Sequence, residues 1–600
     1  MKDQFRKHLA RIYLILFAVL FSAGPGAAFE ASLRVESGEL EMESALANTS
    51  LVMAAKRDGV TNPQEILAAA RADYGRLVGA LSEQGYFGPT VSILVDGREA
   101  GNIPAMLALS QVLRIEVVVA TGPAFEFGAT EIAPLVSTTA LPTGFRAGAA
   151  AKTPVISEAA RVSLAGWRAI GHAVAQIDQQ DIIADHRQAR LDVRLRIKPG
   201  PRVRFGALNI NGAPSVRESR IREIAAIPFG AVFDPTVLER AAARLRTAGA
   251  FSSVTLREAE TLGQDDTMDV NLSLVEATPR RFGFGAALLS AEGLTLSGFW
   301  MHRNLLGGAE RFRIEGEVSG LGGETNGPDY QLRAGLTRPS TFNRDTDLFF
   351  IAELEQLDEP YYLSRQASAE VGVSRYFSET LSAEAALSYR FSDVEDSLGT
   401  QQFSHLALPL ALTRDRRDDP LNPASGTYLH TEIMPFFGLG DSASGGRGYL
   451  DARVYRSVGA EDGIVFAGRL QFGSVVGASI ADTPPDLLFF SGGSGTVRGH
   501  SYQSLALQSG AVKTGGRSFL GFAGEARVRM SETITAVAFY DTGYIGANSL
   551  IDSEGSWHSG AGLGLRYQTG IGPIRLDVAT PVTGSSANSV QIYIGIGQAF

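Results

Sequence analysis

Cysteine is absent from the 600 residues. That excludes a disulfide framework, a thiolate metal site and a cysteine nucleophile. Tryptophan is scarce, 3 residues against 32 phenylalanines, so a strong tryptophan belt is not available. The 8 histidines are scattered, and none falls into H-E-x-x-H or another ligand spacing, so no metal is expected. There is no G-x-x-x-x-G-K-S/T phosphate loop and no G-x-S-x-G nucleophile elbow, so neither a cofactor nor an enzyme activity is indicated. The formal net charge of −10 argues against a general nucleic-acid binder, which carries a basic face. Beyond the N-terminus no apolar run reaches the roughly 18 residues of a membrane-spanning helix. If the chain spans a membrane, it does so as a β-barrel.

The N-terminus reads as a targeting segment. Lys2, Arg6, Lys7 and Arg11 precede the apolar run Ile12 to Phe21. Small residues follow from Ser22, with Gly26 and Ala28 at positions suited to cleavage. Residues 1–28 are expected to be a secretory signal peptide.

A repeat organises the next 250 residues or so. An apolar strand, a proline-containing turn and Phe-Gly occur three times: IEVVVATGPAFEFG, LDVRLRIKPGPRVRFG and MDVNLSLVEATPRRFG. The closing glycines, Gly128, Gly206 and Gly283, lie 78 and 77 residues apart. Helical periodicity precedes each copy. In the first, Asn62 and Pro63 open a helix that Gly85 ends. In the third, Asp234 and Pro235 open one that stops at Gly249. The second is less regular, with Gly166 and Gly171 interrupting the pattern. Each unit reads as a strand, two helices and a strand hairpin, enough for a small two-layer α/β domain. The expected divisions are 29–121, 122–200 and 201–278. One larger α/β enzyme domain is the competing reading.

From residue 279 onward two-residue alternation replaces the helical period. Phe522, Gly524, Ala526 and Val528 oppose Ala523, Glu525, Arg527 and Arg529. Leu563, Leu565 and Tyr567 oppose Gly564 and Arg566. Ile574, Leu576 and Val578 oppose Arg575 and Asp577. Ile592, Ile594, Ile596 and Phe600 share one face of the last strand. Charges at strand centres are costly inside a soluble sandwich but tolerated in a watery lumen. The expected fold is therefore multidomain: three small α/β domains followed by a transmembrane antiparallel β-barrel over 279–600. At roughly 20 residues per strand and loop, the barrel has about 16 strands.

The strongest local signal is LLFFSGGSGTVRGHSYQSL, Leu487 to Leu505. Its glycines would let a long loop fold back into the lumen. Arg498, between Val497 and Gly499, would then need a carboxylate. Asp541, in line with Phe539 and Gly543, is one lumen-facing candidate and Glu525 is another.

These residues resemble the outer-membrane assembly-factor superfamily that includes BamA and TamA, with periplasmic POTRA domains and a surface-antigen-type barrel. The VRG loop signature is matched by Val497, Arg498 and Gly499, with His500 where the family carries Tyr or Phe. The FxDxG strand is matched by Phe539, Asp541 and Gly543, and the glutamate of the preceding strand by Glu525. A turn signature is matched by Asp415, Arg417, Asp419, Pro420, Pro423 and Gly426. GxGLRY…GPIRLD is matched at Gly562 to Tyr567 and Gly572 to Asp577, and the terminal phenylalanine by Phe600. The resemblance implies that Arg498 pairs with Asp541.

Three small domains point to the TamA type. That type implies a TamB-like, inner-membrane-anchored periplasmic partner, insertion of autotransporter-like clients, and a role in lipid delivery to the outer membrane. A two-partner-type secretion pore and a passive outer-membrane receptor are the alternatives.

Overall fold

The computed structural model describes residues 29–104, 109–289, 293–323, 326–396, 399–459, 463–509, 512–570, 572–583, 590–596, 598 and 600. The expected signal peptide lies outside the described residues.

The repeat marks the central strand of each small sheet. Arg114–Ala120 lies between Glu30–Val35 and Thr90–Val95. Arg190–Lys198 lies between Glu126–Ala133 and Gln176–Asp185, and Thr267–Glu276 between Arg204–Asn211 and Phe251–Glu258. A central strand covered on one face by helices alternates buried and solvent-facing residues, as Arg190–Lys198 does. The Phe-Gly step then begins the first strand of the next element. Phe127 and Phe205 are buried there, whereas Phe282 opens the barrel and is exposed on its outer face. The aspartates of LDV and MDV serve the same junction. Asp192 accepts the Ala129 amide and Asp269 the Ala207 amide, both at 2.7 Å.

The helices begin where the capping residues place them. Asn62 accepts the Gln64 amide at 2.9 Å, and Gly85 ends Pro63–Gln84 in a left-handed conformation. Asp234 accepts the Thr236 amide at the start of Pro235–Thr247. Two units depart from the two-helix expectation. Among the described residues the first has three helices, Leu40–Thr49, Leu51–Arg57 and Pro63–Gln84. The second has one among the described residues, Thr153–Ala169, because the Pro- and Gly-containing stretch 134–151 forms turns instead. Gly166 does not break that helix. A side chain there would meet the Thr139 hydroxyl, so the glycine allows close packing.

The third small sheet and its helices share a core with the barrel. Ile221, Ile224, Leu245 and Leu272 pack with Ala309 from a barrel turn. Arg220, almost fully buried, donates to the carbonyls of Pro339 (2.6 Å) and Gly308 (3.5 Å) on two barrel turns. Arg244 pairs with Asp345 at 3.2 Å.

The barrel sheet runs in chain order from Arg280–Leu289 to Gln591–Ile596, with antiparallel pairing between successive spans. Among the described residues it contains 17 strand segments. Gly399–Ala407 and Leu410–Asp415 both pair with Leu381–Asp396 and with Gly426–Gly438. They are two halves of one span, interrupted at Leu408 and Pro409, where proline has no amide to donate. Sixteen spans result. The expected faces are present. Phe522, Leu563, Leu565, Ile574, Leu576, Ile592 and Ile594 face outward, while Glu525, Arg527, Arg566, Arg575, Asp577 and Tyr593 are buried on the inner side. Phe600 differs. The last strand ends at Ile596, so alternation does not carry to the terminus. The Phe600 ring turns inward beside Tyr455, Ala467 and Ala523.

Candidate functional site

The inward loop reaches its partners through a trough of glycines. Strand Ser556–Tyr567 presents Gly560, Gly562 and Gly564 to the lumen, next to Asp541, Phe539 and Val537 of Ile534–Gly546. A side chain at Gly560 would strike the Arg498 carbonyl, and one at Gly562 the Phe539 ring. Gly499 itself adopts φ +99, and a Cβ there would press on the Thr580 carbonyl. The loop backbone therefore lies directly on the barrel wall.

Arg498 is the centre of the site. Its Nε and Nη2 bond Asp541 Oδ2 and Oδ1 at 2.7 and 2.9 Å, and its backbone amide adds a third bond to Oδ2 at 3.1 Å. Nη1 bonds Glu525 at 2.7 Å and reaches Asp577 at 3.4 Å. The guanidinium lies 3.6 Å over the Phe539 ring. Glu525 is shared with Arg527 at 2.8 Å, and Asp577 is bonded to Arg566. Three arginines and three carboxylates thus form one cluster with side chains 3% exposed or less. A fourth arginine, Arg575, is buried on the same face, and its Nε has no partner among the described residues. Charges this deep persist only when paired and bonded.

The expected residues converge here. Val497 is fully buried against Gly543, whose missing side chain also leaves room for the hydrogen bond between His558 and Ser491. The Tyr593 hydroxyl accepts the Gly499 amide at 3.0 Å and donates to the His500 carbonyl at 3.2 Å. The His500 Nε2 meets the Ser559 carbonyl at 3.1 Å, and its ring packs edge-on to His558. Its Nδ1 has no partner among the described residues.

The turn between Leu410–Asp415 and Gly426–Gly438 feeds the same cluster. Arg417 grips Asp415 through two bonds of 2.9 and 2.7 Å and stacks on Tyr428. Asp419 accepts the Leu421 amide, and Gly426 holds φ +107 against the Arg416 carbonyl. The Arg417 guanidinium also bonds the Pro420 carbonyl. The Pro423 and Phe600 carbonyl oxygens both lie within 3.5 Å of Arg527 nitrogens. Gln598 bridges Asn422 and Arg566 at 2.8 and 3.1 Å. The separate sequence signatures are thus walls of one structure.

Sequence reasoning did not place Arg566, Asp577 or Tyr593 in the site, although their inward parity was readable. It also passed over Asp418, the organiser of the turn, which accepts the Asp419, Ala424 and Ser425 amides. Burial pushes the Asp418 carboxyl up, but these bonds and the Ser425 hydroxyl hold it net below its ordinary value. The loop's far attachment was not foreseen either. Phe490 stacks on Tyr361, and Tyr502 donates to Glu359 at 3.1 Å.

Residues 304–600 match the Omp85 superfamily domain. The barrel is an Omp85 domain. A stretch of 137 residues is 26% identical to the outer membrane protein assembly factor BamA of Neisseria meningitidis serogroup B. It covers 23% of this chain and only 17% of that relative's length. BamA from Haemophilus ducreyi lacking POTRA domains 1-3 superposes with a TM-score of 0.62 at 16% identity, covering 79% of this chain and all of that one. CdiB from Acinetobacter baumannii gives 0.49 at 14% identity, over 80% and 90% of the two chains. The Omp85 domain places the chain in the outer membrane, with its N-terminal α/β domains in the periplasm. Among the described residues no cluster of three or more His, Asp or Glu could hold a metal ion.

Proposed function

We propose that this Omp85 protein is a protein-biogenesis factor that inserts β-barrel clients into the outer membrane. One observation carries the reading. The first strand, Arg280–Leu289, lies alongside the last, Gln591–Ile596, yet no hydrogen-bonded ladder joins them among the described residues. Two unsatisfied strand edges inside a bilayer are costly and receptive to a third strand. The first strand reads FGFGAALL, and glycine-rich strands pair weakly. An incoming client strand would satisfy the edges, and its folding would drive the reaction. The loop cluster holds the wall on one side of this seam through Tyr593.

The division into 29–121, 122–200, 201–278 and 279–600 supports the TamA type, because three small domains precede the barrel. With that type come a TamB-like periplasmic partner, autotransporter-like clients and a share in lipid delivery. The test is a disulfide across the seam, joining Arg280–Ala286 to Gln591–Gly595. The absence of native cysteine leaves no competing thiol. The oxidised lock stops client insertion and reduction restores it; full insertion by the oxidised form refutes the proposal.

A secretion pore is the second reading. The lumen supports it, with cavities of about 680 and 530 Å3 lined by ionic side chains. A pore exports its substrate through the lumen, so it would continue to secrete with the seam locked and would conduct ions in a planar bilayer.

A further inference from the structure

Beside the seam, the inner wall carries arginines whose side chains are held by no hydrogen bond or ion pair among the described residues. Arg281 sits opposite Met301, and Met301 opposite Arg313. One step further along the same lumen-facing rows stand Arg303 and Arg311. Arg313 is held by Glu315 through bonds of 3.1 and 2.6 Å. Among the described residues, the Arg281, Arg303 and Arg311 side chains make no hydrogen bond or ion pair; Arg281 only flanks the Phe299 ring. All three line the cavity of about 680 Å3. Like charges on adjoining strand positions destabilise a sheet unless an anion lies between them.

The remaining wall of the cavity bounds the size of that anion. Asp347, Glu370 and Glu384 also line it. Asp347 accepts the Ser340 amide and also interacts electrostatically with Arg311, while Glu384 accepts the Ser374 hydroxyl. A polyanion would meet these carboxylates, whereas a single phosphate group calls on the guanidiniums alone, whose planar forks match its oxygens.

The outer face of the same strand indicates what carries the phosphate. Phe282 and Phe284, alternating with Arg281, are 65% and 88% exposed toward lipid. Trp300 pairs with Phe282 on that face. Arg281 is the second residue of the strand that arrives from the third small sheet, so it stands at the periplasmic headgroup level. A polar anion site inside and an apolar wall outside meet at a seam without a ladder.

We propose that Arg281, Arg303 and Arg311 bind the phosphate of an anionic phospholipid of the periplasmic leaflet, its acyl chains lying against Phe282 and Phe284. The site stands on its own geometry and holds whether the barrel inserts clients or secretes.

The test uses the full chain in phosphatidylcholine nanodiscs, with Trp167→Phe and Trp557→Phe leaving Trp300 as the fluorophore. Brominated-chain phosphatidylglycerol should quench Trp300 more than brominated phosphatidylcholine at equal mole fraction. Neutralisation to glutamine should weaken this preference about fivefold per arginine, from about 1 kcal/mol each at a membrane surface. The apo variants should melt no lower than the parent, since only repulsion is removed, which separates loss of binding from loss of fold. Equal quenching by the two lipids, or an unchanged preference in the Arg303→Gln/Arg311→Gln variant, overturns the proposal. So does abolition of the preference by inorganic phosphate at matched ionic strength, which marks a free-anion site, or by an acidic peptide, which marks a polypeptide site.

Discussion

Arg498→Ala is the sharpest perturbation of the loop cluster, and its cost follows from who is left unpaired. Glu525 keeps Arg527 at 2.8 Å, and Asp577 keeps Arg566. Asp541 loses its only cation among the described residues while remaining 1% exposed. Removing one partner of a buried pair costs about 3–5 kcal/mol, which shifts loop docking roughly 150- to 5,000-fold toward release. Asp541→Asn should cost less, because Arg498 retains Glu525 at 2.7 Å. Exchanging the two residues, Arg498→Asp with Asp541→Arg, should not restore docking. The new aspartate would face Glu525 and Asp577, so the exchange does not recreate the pair. The assay is maleimide labelling of a cysteine in place of Val497, fully buried in the docked loop, in the otherwise cysteine-free chain, with barrel folding checked by heat-modifiable migration. Labelling within about threefold of the parent in Arg498→Ala would refute the claim that these pairs hold the loop, since the mechanism predicts at least a hundredfold change.

Gly560→Ser should release the loop through backbone collision with Arg498, and adding Arg498→Ala should change labelling no further, because both act on one contact. Arg220→Ala should destabilise the joint between the third small sheet and the barrel turns by about 1.5–3 kcal/mol, read as faster proteolysis of 303–310, since charged hydrogen bonds to Gly308 and Pro339 are lost. Asp418 makes the 416–425 turn acid-sensitive. Its carboxyl is held low in the folded protein, so its stabilisation is present above the unfolded value of about 3.9 and lost as pH falls through the folded one. Faster exchange of the Ala424 and Ser425 amides below that pH, absent from the pH profile of Asp418→Asn, checks it.

The alternation of two was enough to separate the lipid face from the lumen face, because each of those strands is half-buried against something of known polarity. It identified Glu525, Asp541, Arg566 and Asp577 as inward. It did not show that four strands and a loop bring them to one point, because shear and loop path are tertiary properties. The three-fold repeat was legible because a central strand needs an unbroken buried face and the chain must turn sharply after it. Helix counts were not, since the first unit adds a helix and the second replaces one with turns. Parity also fails where a strand stops, which is why Phe600 faces inward although it shares a period with Ile594.

An ion cluster is a poor way to stabilise a protein, since apolar packing of the same volume usually does as well or better. Its use here follows from where the loop sits. An apolar loop tip released into the lumen would expose surface to water or bind clients nonspecifically, whereas Arg498 and its carboxylates can separate into water and return. Bidentate geometry to Asp541, a further bond to Glu525 and the Phe539 face together admit one docked register. The cluster also joins the 416–426 turn through Pro423 and the terminal strand through Tyr593. Release of Arg498 therefore loosens the C-terminal side of the seam, while Arg220 and Arg244 keep the N-terminal side fixed to the third small sheet. That asymmetry predicts the direction of opening: the last strand moves and the first stays. Spin labels on Ile594 and Phe282, each paired with a reference label on Ser253 of that sheet, should show a broadened distance for Ile594 alone in Arg498→Ala. Broadening at Phe282 instead would refute it.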